Sequence, residues 1–141
     1  MFQNILLPVD INHPESWQKA LPLALKSAGS SGTVHVLGIV HDLGSALIAS
    51  YLPSGFEKDA MERLKAELIA FAGREIPAGT ASQVHVGHGH VAETILRTAT
   101  HIGADAIFMA SHPPHDLQTI LVGSQADKVV RHAEIPVLVV R

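Results

Sequence analysis

The sequence predicts an α/β domain built on a five-stranded parallel sheet. Three observations carry that prediction: five short, nearly continuous apolar runs recur along the chain, segments with helical spacing separate them, and Gly, Pro, Asn and Ser punctuate the changes between the two. Strands that are apolar throughout belong in a sheet covered on both faces. Strands alternating with helices of this length are joined by right-handed crossovers that keep them parallel. At 141 residues the chain has the size of one domain. No linker, low-complexity tract or internal repeat divides it, so residues 1–141 are read as a single domain.

Ile5-Leu6-Leu7-Pro8-Val9 is the first strand, and it ends at Asp10. Asn12 is placed to cap a helix with Pro14 and Glu15 in its first turn, and Trp17, Ala20, Leu21, Ala24 and Leu25 follow at helical spacing. Pro22 removes a backbone donor and crowds the preceding turn, which predicts a kink or a local break there. After Gly29 to Gly32, the residues Val34, Val36, Leu37, Ile39 and Val40 form a second buried strand. A longer loop passes through Gly44, Pro53 and Gly55. Ser54 and Glu57 have the spacing of a capping box, and Met61, Leu64, Leu68 and Phe71 mark one face of the longest helix, which reaches about Arg74. Val84 and Val86 make a short third strand. Val91, Ala92, Ile95, Leu96 and Ala99 make a third amphipathic helix that stops near Gly103, and Ala106 to Ala110 is the fourth strand. Beyond a polar, proline-containing loop, Ser124 is placed to cap a last helix carrying Val129 and Val130, and Pro136 to Val140 is the final strand.

Composition narrows the function. Charged residues are only 16% of the chain, against a typical share of about 25%, which points to surface buried in an oligomer. A net charge of −3, ten scattered lysines and arginines and 4% aromatics offer neither a basic stripe nor a stacking platform, so nucleic acid is not an expected partner. No apolar run reaches the roughly 18 residues of a membrane span, and Met1 to Asp10 lacks the basic start of a signal peptide, so a cytoplasmic protein without membrane contact is expected. The absence of cysteine excludes disulfides, thiol catalysis and thiolate metal sites. Ten histidines make pH a variable, because imidazoles gain charge as pH falls through about 6.5.

In such sheets ligands bind beyond the carboxyl ends of the strands, where strand order reverses. Asp10, the loop after Met109 and the Gly123-Ser124 helix start belong to that rim. A carboxylate at Asp10 accepts hydrogen bonds from a ligand's amino or hydroxyl group, or else closes a turn, and its position leaves both readings open. Gly123-Ser124 presents free backbone N–H groups and the positive end of a helix dipole to an anion, or serves as an ordinary cap. Gly87-His88-Gly89-His90-Val91-Ala92 imitates a dinucleotide-binding fingerprint, but it follows the third strand and Asp105 falls before strand four, so a tight turn is the simpler use. His85, His88 and His90, with His112 and His115 further on, are close enough in sequence for metal ligation. No His-Glu-x-x-His pairing accompanies them, and surface histidines without a metal are the simpler reading. The sequence contains no Walker loop, no G-x-S-x-G elbow and no paired carboxylates assignable to one site, so no catalytic residue is assigned.

The opening Ile5-Leu6-Leu7-Pro8-Val9-Asp10, the turn at Gly89, the Gly103-Ala104-Asp105 lead into strand four and the ending from Leu121 to Val140 together resemble the universal stress protein family over the whole chain. The most specific part is Gly123-Ser124 followed by Val129-Val130-Arg131-His132-Ala133 and Pro136-Val137-Leu138-Val139-Val140. The resemblance implies a three-layer, adenine nucleotide alpha hydrolase-like fold of strand order 3-2-1-4-5, with ATP, alone or with Mg, across the carboxyl edge. Pro8, Val9 and Asp10 match positions near adenine and ribose, Val40 matches a backbone adenine contact, and Met109 packs near the nucleoside. The family's phosphate motif is Gly, two residues, Gly, nine residues, then Gly with Ser or Thr. Here that spacing carries Ala110 and Pro113 at the first two positions and Gly123 and Ser124 at the last, with Gln125 beside them. Pro113 and Pro114 remove backbone donors from the loop. At roughly 1.5–3 kcal/mol for each charge-assisted hydrogen bond, this weakens ATP binding by about one to two powers of ten. His112 and His115 flank the loop and could replace those donors when protonated, which predicts tighter nucleotide binding at pH 6 than at pH 8.

The function implied is stress signalling by nucleotide occupancy without significant catalysis. Slow phosphohydrolysis would need a water-positioning base and a metal site that the sequence does not display. The alternative is an interaction module of the same family that has lost nucleotide and recognises a partner protein through its dimer surface or the Leu43 to Gly55 loop. In the implied order Val137, Leu138, Val139 and Val140 form an edge strand, and a bare apolar edge invites pairing. The family often uses that edge for antiparallel homodimers, so a symmetric dimer through this strand is expected.

Overall fold

The computed structural model describes residues 1–41, 54–111 and 123–141. Five parallel strands, β1 (Asn4–Pro8), β2 (Thr33–His41), β3 (Ala81–Gly89), β4 (Ala106–Ala110) and β5 (Val137–Val140), form one sheet in the order β3-β2-β1-β4-β5. Strand β1 pairs with β2 through Ile5 opposite Val34 and Leu7 opposite Val36, and with β4 through Ile5 opposite Ala106. Alternate strand residues point to opposite faces, and two separate cores result. Ile5, Leu7, Val34, Val36 and Phe108 pack against α1 (Ala20–Ala28) and α2 (Phe56–Glu75). Leu6, Leu37, Ile107 and Met109 pack against α3 (Val91–Ile102) and α4 (Ser124–His132). The three-layer architecture and the strand order are those the sequence implied.

Several local expectations are corrected. The chain leaves β1 through a 3-10 turn at Pro14–Ser16, with His13 rather than Asn12 at its N-cap position, and α1 begins only at Ala20. Pro22 is therefore the third helical residue, in the turn whose N–H groups have no intrahelical partner, and it kinks nothing. The break falls before it, across Trp17 to Lys19. The capping box at Ser54 and Glu57 does not form. Gly55 takes the N-cap of α2 in a left-handed conformation (φ 82°), and the Glu57 carboxylate lies 3.2 Å from His88 Nδ1 instead. At α4 the cap is Gly123, and Ser124 is the first helical residue. Strand β3 is longer than Val84 and Val86 indicate, pairing with β2 from Ala81 opposite Thr33 to Gly89 opposite His41. As an edge strand it is only half-buried, so its ends lack an apolar signature. Gly103 does end α3 in a left-handed turn (φ 66°), its N–H donating to the carbonyls of Ala99 and Thr100. No helix among the described residues is long and apolar enough to cross a membrane.

Candidate functional site

Strand order reverses at β1, because the chain crosses to β2 on one side and β4 lies on the other. At that reversal a cleft of about 550 Å³ opens beyond the strand ends. Pro8, Val9, Asp10 and Ile11 form one wall; Met109, Ala110 and Ser111, followed by Gly123 to Ala126, form the other. Ile39 and His41 of β2, Leu64 and Glu67 of α2, and Val91 and Ile95 of α3 complete it. Val9 and Met109 are buried, so the inner part of the cleft is apolar and its rim polar.

Asp10 is engaged by its own loop. Its Oδ1 accepts from the Asn12 N–H at 3.1 Å, and its Oδ2 lies 3.1 Å from His13 Nδ1. The Ser16 hydroxyl closes the turn, accepting from the Asp10 N–H at 2.9 Å and donating to its carbonyl at 3.0 Å. The turn reading of Asp10 is thus realised, while each carboxylate oxygen keeps acceptor capacity toward the exposed rim. Across the cleft, the Gly123 N–H donates to Ser111 Oγ at 3.3 Å, and the Ser111 N–H donates to the Val140 carbonyl at 2.8 Å. These bonds pin the start of α4 to the end of β4. Gln125 serves the neighbouring helix, its Oε1 accepting from the Ala92 N–H at 3.2 Å. The N–H groups of Ser124 and Gln125 lie in the first turn of α4 and have no acceptor within the helix.

Eight of the residues singled out from sequence therefore line one cleft: Pro8, Val9, Asp10, Met109, Ala110, Gly123, Ser124 and Gln125. Val40 is not among the lining residues; its neighbours Ile39 and His41 are, as strand alternation requires, and the contact expected of Val40 was through its backbone. Pro113, His112 and His115 lie outside the described residues, as does most of the Leu43 to Gly55 loop. Glu67 was not anticipated. It stands three residues after Leu64 and four before Phe71, a charge interrupting an otherwise apolar helix face, and that interruption was the available signal.

The histidines also sort differently from expectation. His35, unremarked in the apolar run of β2, is only 5% exposed. Its Nε2 lies 3.1 Å from Asn4 Oδ1 and its Nδ1 lies 2.9 Å from His85 Nε2, with the two rings stacked. Since an amide oxygen only accepts, His35 Nε2–H donates to Asn4 and His85 Nε2–H donates to His35 Nδ1. His85 is thus half of an internal pair rather than a surface histidine. Burial first, and then the neighbouring imidazole, lowers the His35 pKa; burial first, and then His101, lowers that of His85. His85, His88 and His101 face a second, shallower groove of about 720 Å³ along the β3 edge, together with Glu62 and Lys65 of α2 and Arg97 of α3. Among the described residues no three His, Cys, Asp or Glu side chains group as metal ligands.

Fold and cleft define an open, doubly wound α/β domain with a ligand crevice at its switch point. Residues 1–141 match the profile described as "Universal stress protein family", and the chain belongs to that family. Universal stress protein G of Escherichia coli O157:H7 is 31% identical over the full length of both chains. Among solved structures, the protein MJ0577 of Methanocaldococcus jannaschii superposes with a TM-score of 0.72 at 24% identity, covering 99% of this chain and 96% of that one. A universal stress protein in complex with cAMP gives 0.63 at 19% identity, covering 99% and 97%. An Arabidopsis thaliana family protein with AMP bound gives 0.60 at 14% identity, covering 98% and 90%.

Proposed function

We propose that the crevice binds an adenine nucleotide in the cytoplasm and that occupancy, rather than turnover, is what the protein signals. The observation that carries this reading is the single cleft at the switch point, with Asp10 on one side and the start of α4 on the other. Val9, Ile39 and Met109 supply an apolar slot for a purine, a free lone pair of Asp10 accepts from a ribose hydroxyl, and the Ser124 and Gln125 N–H groups face a phosphate. The structural relatives in complex with cAMP and with AMP bound support the same ligand class.

The test is calorimetric titration of Mg-ATP and AMP into purified protein, after a denatured sample has been checked for carried nucleotide. Micromolar binding of either, weakened at least tenfold by Asp10→Ala or Ser124→Ala, is the expected result. No heat, no thermal shift and no carried nucleotide would overturn the reading. The partner-binding alternative would then lead, and it draws its support from Pro113 in the phosphate loop and from the Gly123 N–H already held by Ser111.

We also propose a homodimer through β5. That strand is an edge of the sheet, and Leu138 on it is 42% exposed, leaving ladder groups and an apolar side chain for a second copy. Light scattering at tens of micromolar should give twice the chain mass, and Val139→Lys should shift it toward the monomer. A monomeric wild type would sink the proposal.

A further inference from the structure

The sheet has two edges, β5 and β3. Strand β3 keeps unbroken register with β2 from Ala81 to Gly89 and contains no proline. Val84, His85, Val86, Gly87 and His88 all line the groove beside it. Alternate side chains leave opposite faces of a strand, so a groove touched by five consecutive residues runs along the outer edge of β3, with α2 on one face and α3 on the other.

The hydrogen-bond register shows which peptide groups face that groove. The Thr33 N–H donates to the Gln3 carbonyl at 2.8 Å, and the Leu37 carbonyl accepts from the Val9 N–H at 2.8 Å. Odd-numbered residues of β2 therefore bond toward β1, and even-numbered ones toward β3. Val36 stands opposite Val84. In a parallel ladder it bonds to the residues on either side of its partner, Gln83 and His85, which directs the peptide groups of Val84, Val86 and His88 outward. The His88 carbonyl agrees: it accepts from Arg97 Nη2 at 3.2 Å, on the side away from β2. From Val84 to His88 the edge offers about 16 Å of strand.

Charge selects the occupant. Lys65 stands on the α2 wall and Arg97 on the α3 wall; among the described lining residues the one carboxylate is Glu62, while Glu57 is turned to His88 Nδ1 at 3.2 Å. Arg97 uses one N–H on the His88 carbonyl and keeps the rest of its donors. A strand laid on this edge points alternate side chains at the two walls, so neighbouring acidic residues meet Lys65 on one side and Arg97 on the other. A second copy of β3 would instead bring its own Lys65 and Arg97 to the same place. We infer that the β3 edge is a docking site for an extended acidic segment of a partner protein, which joins the five-stranded sheet as a further strand. The site is separate from the crevice and from β5, and it stands whichever ligand the crevice takes.

The test is selection of a random nonapeptide library displayed on phage against the full chain, followed by fluorescence anisotropy with the selected peptides made synthetically. Selected sequences should be rich in Asp, Glu and β-branched residues and free of proline at their centre. Lys65→Glu and Arg97→Glu, both at exposed positions, should each weaken the peptide by about fivefold. Methylating the peptide's backbone nitrogens one at a time should abolish binding at alternate positions and spare those between, because only every second N–H of an added strand faces β3. No enrichment, selected sequences without acidic residues, or binding indifferent to both charge reversals would overturn the inference. Methylation sensitivity without alternation would do the same, since it marks a helix or a loop in the groove. A chain that stays dimeric with Val139→Lys but becomes monomeric when Val86→Pro is added would put a second copy on the edge, and that too overturns it.

Discussion

The crevice at the ends of β1 and β4 and the groove along β3 are both walled in part by α2 and α3, yet their charges are opposite. The crevice holds Asp10 and Glu67, whereas the groove holds Lys65 and Arg97 with three imidazoles, against Glu62. Helix α2 makes the division with residues two apart, since Lys65 and Glu67 point to nearly opposite sides of a helix with 3.6 residues per turn. The surfaces differ in their floors as well. The crevice lies where the sheet order reverses and no helix can cross, so it is open by topology. The groove lies over a continuous ladder and is shallow because side chains fill it, with Thr94 fully buried against Gly87. An open site is thus a property of chain order, while a filled one depends on individual contacts.

The largest effect expected from that difference is in the groove floor. A Cβ on Gly87 would stand 2.3 Å from Thr94 Cγ2, and Thr94 cannot swing aside because its hydroxyl donates to the His90 carbonyl at 2.6 Å. Gly87→Ala should therefore destabilise the fold by about 1–3 kcal/mol, the usual range for overpacking, read as a lowered urea midpoint. Thr94→Ser removes the offending methyl and keeps the hydroxyl, so the double variant should be less destabilised than the sum of the two single changes. An additive pair would show that the strain lies elsewhere, and that the groove is as tolerant as the crevice.

What the sequence disclosed follows the same division. The strands and the class of sheet were legible because apolar runs of this kind demand a covered parallel sheet, such a sheet places its ligand site by topology, and the strand order came from the resemblance to the universal stress protein family. Asp10, Met109 and Gly123-Ser124 could be assigned to one rim before any side chain was placed. Contacts set by packing were not legible. His35 was absorbed into the apolar run of β2, although a polar residue inside a doubly covered strand must find partners, and Asn4 and His85 supply them. Pro22 and the Ser54-Glu57 pair misled because each rule depends on where the helix begins, and boundaries shifted by a few residues turn a break into a first-turn proline and a capping box into a contact between Glu57 and His88.

A smaller effect should separate the two regions by pH. Burial favours the neutral forms of His35 and His85 in the fold, and each is further opposed in charging by a neighbouring imidazole, His85 for the first and His101 for the second. In the unfolded chain both bind protons near the ordinary value of about 6.5. Below that pH the unfolded state holds more protons than the native one, so stability falls as pH falls toward the depressed native values and the contribution is complete only above about pH 7. Lys65, Arg97 and Glu62 line the adjoining groove, and the Glu57 carboxylate lies against His88. Urea midpoints measured from pH 7.5 down to 5.5 should therefore decline in the wild type. They should decline less steeply in His85→Gln, which removes one titrating ring while keeping an amide for His35. Glu67→Gln, confined to the crevice, should track the wild-type slope. Parallel slopes for wild type and His85→Gln would mean that the buried pair is not the source of the pH dependence, and that the exposed histidines are.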